Sequence, residues 1–114
     1  PRSSQKNTTF TYKSSSHEIL MEKGLGWALD TAYADQHPKI ILANLLELIQ
    51  KYPDNPRFYG LLYDIYNKTR QADMVLETAI DTYKRFPLLE FAFINYVKEM
   101  LFQNQEKILQ LCFY

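Results

Sequence analysis

Between residues 38 and 102, apolar side chains return every three or four positions, and short polar or proline-bearing breaks interrupt them. Ile41, Leu42, Leu45, Leu46, Leu48, Ile49 and Tyr52 give 38–52 the broad apolar face of a packed helix. After "PDNP", Asn55 is a candidate cap and Pro56 a first-turn residue, where its missing N–H has no partner to lose. Phe58, Tyr59, Leu62, Ile65 and Tyr66 then carry the next helix. Val75, Leu76, Ala79, Ile80, Tyr83 and Phe86 carry another over 72–86, and Phe93, Tyr96, Val97, Met100 and Leu101 one over 89–102. A last helix is predicted from about Gln105. Upstream, Ser16 is a candidate cap for a first helix from His17 to about Asp35. Gly24 and Gly26 weaken it, each by up to about 1 kcal/mol against Ala. The short connections predict an all-α chain whose successive helices are antiparallel neighbours.

The breaks are themselves periodic. Tyr52-Pro53 is echoed 34 residues later by Phe86-Pro87. At the same shift "KIILANLLELIQKYP" falls on "DMVLETAIDTYKRFP": Ile41 meets Val75, Leu42 meets Leu76, Leu46 meets Ile80 and Lys51 meets Arg85. A second shift places Lys107-Ile108-Leu109 on Asp73-Met74-Val75. Helix, turn, helix and proline make one unit, and such a unit cannot bury its apolar face alone.

In this period and its closing proline the chain resembles the tetratricopeptide repeat family. Tyr59, Leu62 and Tyr66 take the family's first-helix places, Val75 its second-helix place and Pro87 the close. In the preceding unit Leu25, Ala28, Ala32, Ile41 and Pro53 do so. Leu29 and Tyr63 depart from the pattern, standing where the family has a small residue. So do Ala79 and Leu45, which replace an aromatic, and Thr82 and Leu48, which replace an Ala. The resemblance implies a right-handed solenoid of antiparallel helix pairs, about two and a half repeats. The units would be 22–55, 56–89 and an incomplete 90–114, within a helical domain 17–114 behind a flexible basic tail, 1–16.

The same resemblance implies a concave groove for a partner peptide or helix, lined by first helices. It carries that groove to Lys23, Gly26, Asp30 and Tyr33 in the first unit and to Arg57, Gly60, Asp64 and Asn67 in the second. Phe91, Ile94 and Lys98 follow in the third. Mixed charges and two glycines suit a polar, partly extended peptide. Family members that grip a terminal carboxylate use a cationic set. Gly26, Asp30, Leu61, Phe91 and Asn95 stand at those positions, so that mode is not expected. The implied role is a non-catalytic interaction module of a larger scaffold or adaptor. "FAFINYVKE" is similar to half-a-TPR repeats of RNA-processing scaffolds, which keeps that role open, as does a docking domain attached to an enzyme.

Composition narrows the chemistry. The 114 residues suffice for one domain, and 46% hydrophobic content is that of a globular chain. Net charge is zero, which opposes direct nucleic-acid binding. The first sixteen residues hold Arg2, Lys6 and Lys13 without an acid. Cys112 is the sole cysteine, so no internal disulfide forms, and with only two histidines no ordinary structural zinc site is expected. His17 and His37 have no helix-spaced carboxylates or thiols around them and read as end or turn residues. No cofactor, metal or membrane span is expected, and the chain reads as intracellular, cytoplasmic or nuclear. The apolar Leu109, Leu111, Cys112, Phe113 and Tyr114 imply self-association through the last helix face.

Overall fold

The computed structural model describes residues 11–113, side chains at 108 and 110–113 excepted. The expectations placed on Arg2, Lys6, Leu111, Cys112, Phe113 and Tyr114 therefore lie outside the described side chains. All the regular structure in the described residues is helical, as the apolar spacing predicts: α1 Ser16–Leu29, α2 Tyr33–Gln36, α3 Pro38–Lys51, α4 Pro56–Lys68, α5 Ala72–Arg85 and α6 Glu90–Phe113. Among them no helix is long and apolar enough to cross a membrane.

Each helix begins where backbone chemistry allows. α1 is capped by Ser15, one residue earlier than the sequence suggests, in a reciprocal capping box. The Glu18 N–H donates to Ser15 Oγ at 3.3 Å, and the Ser15 N–H donates to Glu18 Oε1 at 2.9 Å. α4 starts as predicted, with Arg57 N–H on the Asn55 side chain at 3.0 Å and Pro56 in its first turn. Pro38 opens α3 in the same manner.

One carboxylate joins two of these starts. Glu18 Oε2 accepts from Asn55 Nδ2 at 2.9 Å and from the Tyr12 hydroxyl at 2.7 Å. Glu18 and Asn55 are both buried. A buried anion shared between two helix N-termini is stabilised by N–H donors and by both helix dipoles. Burial by itself would raise the Glu18 carboxyl. The donors from Ser15, Tyr12 and Asn55 outweigh it and hold the group at about 2.

The sequence predicts a first helix unbroken to Asp35, but α1 stops at Leu29. Thr31 is the reason: its Oγ1 donates to Ala28 O at 3.2 Å and accepts the Tyr33 N–H at 3.4 Å. A hydroxyl that takes backbone partners in this way competes with the helix ladder. The single turn of α2 follows. At the other end the helix expected to start near Gln105 is not separate. α6 runs unbroken for 24 residues, because "FQNQEK" holds neither Pro nor Gly to stop it.

The proline-marked joints match at the 34-residue shift. Tyr52 ends α3 at φ −128°, its N–H on Leu48 O at 2.7 Å, and Phe86 ends α5 at φ −131°, its N–H on Thr82 O at 2.8 Å. One turn on, Asn55 N–H meets Tyr52 O and Leu89 N–H meets Phe86 O. Each following proline disfavours further helix at the residue before it. Burial repeats too: Ile41 and Val75, Leu45 and Ala79, Leu48 and Thr82, and Phe58 and Ala92 are all buried pairs at this shift.

α4 sits at the centre, packed against α1, α3 and α5, and seven of its thirteen residues are buried. α5 packs in turn on α6. Ile41, Leu45, Phe58 and Ile65 fill the tightest part of the core. Tyr59 meets Phe86 edge-on at 5.3 Å, and its hydroxyl donates to Pro53 O at 3.0 Å, so one ring clamps two joints. Between α4 and α5, Gln71 N–H reaches Tyr66 O and Arg70 N–H reaches Asn67 O, a Schellman closure. It forces Arg70 to φ 56°, where glycine is preferred.

Two outcomes follow. Arg70→Gly should raise unfolding free energy by about 0.5–1 kcal/mol in urea titration, by removing a left-handed non-glycine residue. Glu18→Gln should cost about 2 kcal/mol, since buried donors lose a charged acceptor. The Glu18 folded value lies below its ordinary 4.5. Its contribution is therefore complete above about pH 4.5 and is withdrawn as pH falls toward about 2. Thermal melts across that window should show a steeper decline for the wild type than for Glu18→Gln.

Candidate functional site

The first face of interest is built by α1, α4 and α6. Residues 57, 60 and 64 recur at helix spacing, which puts Arg57, Gly60 and Asp64 on one side of α4. They line a single cleft of about 370 Å³ with Glu22 from α1, Leu61, and Phe91 and Asn95 from α6. Arg57 lies at its rim. Its Nη1 donates to Ser14 Oγ at 3.3 Å, and its Nε is 3.8 Å from Glu22 Oε1. Both members of that ion pair are substantially exposed, so it is weak and open to exchange. Gly60 lies beside the Phe91 ring, and a Cβ there would sit 3.4 Å from Phe91 Cε2. The absent side chain keeps the aromatic wall and the α4 backbone accessible from the cleft.

Asp64 carries the other charge. Desolvation raises its carboxyl above the ordinary range and Asp30 adds to this, while Lys98 and Lys68 oppose it. Asp30 at the end of α1, Asp64 on α4 and Lys98 on α6 thus share one electrostatic neighbourhood. A second cleft of about 520 Å³ continues along α4 and α6, lined by Tyr63, Asn67, Lys98, Glu99, Leu101, Phe102 and Gln105. Asn67 is partly engaged, its Nδ2 donating to Tyr63 O at 3.3 Å.

Tyr63 separates the two clefts' walls. The buried ring carries a hydroxyl that donates to Glu99 Oε2 at 2.7 Å, joining α4 to α6. Burial and this bond push the phenol up to about 12. The buried Tyr63 thus bridges α4 to α6 through a side-chain hydrogen bond.

The remaining candidates behave differently. Lys23 is exposed on α1. Gly26 is half-buried with open space where a Cβ would be. Neither lines the clefts described. Asp30 is the C-cap of α1, its N–H on Gly26 O and Trp27 O. Tyr33 is spent on packing: its ring lies 4.7 Å from His37 and 6.2 Å from Trp27, against the core. Ile94 is exposed on α6.

A larger cleft, which sequence reasoning missed, opens on the opposite side of α4. It measures about 790 Å³ and lies between α3 and α5. Tyr59, Leu62 and Tyr66 form its floor, Leu46, Ile49 and Met74 its apolar walls, and Asp73, Glu77 and Lys84 its rim. Its signal was the width of the α3 stripe: Leu46 and Ile49 exceed what one neighbouring helix covers. No cluster of three or more His, Cys, Asp or Glu able to hold a metal occurs among the described residues. No protein-family model, curated protein or solved structure matches this chain.

Gly60→Ala gives a direct reading of the smaller cleft. Its Cβ would meet the Phe91 ring at ordinary contact distance, so the variant should fold and gain up to about 1 kcal/mol of stability in thermal melts.

Proposed function

We propose that the chain is a non-catalytic protein–protein interaction module, a divergent tetratricopeptide-type stack of helix pairs belonging to a larger scaffold or adaptor. It holds an extended segment of a partner protein along α1, α4 and α6. The observation that carries this reading is the convergence of Arg57, Gly60 and Asp64 on one cleft with Phe91 as its apolar wall. Arg57 offers a guanidinium for an acidic side chain or a carbonyl. Asp64 offers an acceptor for a cation or an amide, and the Phe91 ring, seated against Gly60, offers an apolar wall. Lys98 and Asn67 extend the polar track into the neighbouring cleft. The matching Tyr52 and Phe86 joints support the helix-pair stack, a right-handed solenoid in this reading, because they repeat the same helix ending at the same spacing. Preformed shape with a few anchors gives modest affinity and high selectivity.

Selection from a displayed library of random linear peptides tests this. Selected peptides should shift backbone NMR signals around Arg57, Gly60, Asp64 and Phe91. The double variant Arg57→Glu/Asp64→Lys should bind them at least about ten-fold more weakly. Peptides that shift signals elsewhere, or that bind the double variant equally well, would reject the reading.

A further inference from the structure

Two apolar surfaces of this chain lie uncovered, and their forms are complementary. One is concave: the cleft between α3 and α5, floored by Leu62 and Tyr66 and walled by Leu46 and Met74. The other is a ridge on α6, where Ile94, Leu101, Phe102 and Leu109 recur at helix spacing and stand 45–62% exposed. Apolar exposure of this extent marks an interaction surface. An amphipathic helix laid into an apolar groove by anchors three and four residues apart is a recurring solution. At about 1.5 Å per residue, the ridge from Leu101 to Leu109 rises about 12 Å, within the roughly 18 Å that Asp73 to Arg85 spans along the cleft wall.

Charge points the same way. Two exposed ionic side chains flank the ridge, Lys98 and Glu106, each one turn from Phe102. Asp73 and Glu77, exposed one turn apart on the cleft rim, have no ion-pair partner among the described residues. Asp81 is different, being already held by Arg85 at 3.1 Å. A cation on the ridge therefore meets two unengaged anions on the rim.

One copy cannot bring these surfaces together. Tyr59, Leu62 and Tyr66 of α4 line the α3–α5 cleft, while Tyr63 and Asn67 line the cleft shared with Leu101 and Phe102. The ridge and the cleft thus lie on different sides of α4, and α6 is one unbroken helix that cannot turn back. We propose that the α6 ridge of one copy docks into the α3–α5 cleft of a second copy. The contact joins two different surfaces, so it propagates head to tail instead of closing as a symmetric pair. It shares Lys98 with the proposed peptide track, while the cleft at Arg57 and Gly60 lies outside the contact.

Sedimentation velocity of the 114-residue chain at rising concentration tests this. Wild type should associate beyond a dimer. Leu46→Asp in the cleft and Leu101→Asp/Phe102→Asp on the ridge should each weaken association at least about ten-fold, with helix content by circular dichroism retained. Mixed together, the two variants should recover a 1:1 complex that grows no further, because one brings an intact ridge and the other an intact cleft. Glu77→Lys, an exposed rim change that leaves the core alone, should weaken association as well, and mixing it with Lys98→Glu should restore it. The proposal is overturned if wild type stays monomeric, if the cleft variants associate like wild type, or if the mixtures form no complex.

Discussion

Glu18 is the interaction on which the arrangement turns. Its carboxylate closes the capping box of α1 with one oxygen and takes the Asn55 amide, the cap of α4, with the other. Residues 37 apart in sequence are thereby fixed within a single hydrogen-bond network. The two helices start side by side, so their side faces must meet along their length, and α1 packs on α4 accordingly. A buried carboxylate without donors would be costly; three surrounding donors and two helix N-termini reverse the sign. Tyr12 adds a consequence for the segment before α1, which is drawn down onto the same carboxylate.

From that anchor, the joints at Pro53 and Pro87 set the remaining spacing. An aromatic residue before each proline leaves the helix with its N–H still bonded four residues back. The ring at Tyr59 then touches the next joint through Phe86 and the previous one through Pro53. α3 and α5 flank α4 on one side, and α1 and α6 approach it on the other. Both clefts result from the same geometry. Helices flanking a common neighbour leave a furrow between them, floored by that neighbour.

Much of this was legible in sequence where the signal is local. Pro38 and Pro56 mark helix starts because ring geometry alone decides the matter. Arg57, Gly60 and Asp64 were legible as one face because α4 is regular throughout. The setting of Tyr33, packed on His37 and Trp27, was not legible. The first helix was expected to run to about Asp35, and with the Thr31 hydroxyl taking backbone partners it ends six residues early, at Leu29. The role of Glu18 was illegible, since its partner is distant in sequence and a capping-box glutamate usually faces solvent. The cleft between α3 and α5 was hidden as well. A helical stripe reveals which residues are apolar, whereas exposure of Leu46 depends on how far α5 stands from α3.

The large residue at Tyr63 connects fold to use. In a tightly packed pair of helices a small side chain at this point would let α4 and α6 close on each other. Tyr63 instead bonds Glu99 and ties the two helices together. In the proposed reading, a furrow already formed in the folded chain lowers the entropic cost of binding. Gly60, one turn earlier, removes bulk at the point where Phe91 leans in. A large side chain that ties the helices together, beside one that is missing, produces a cleft with a polar rim and an aromatic wall.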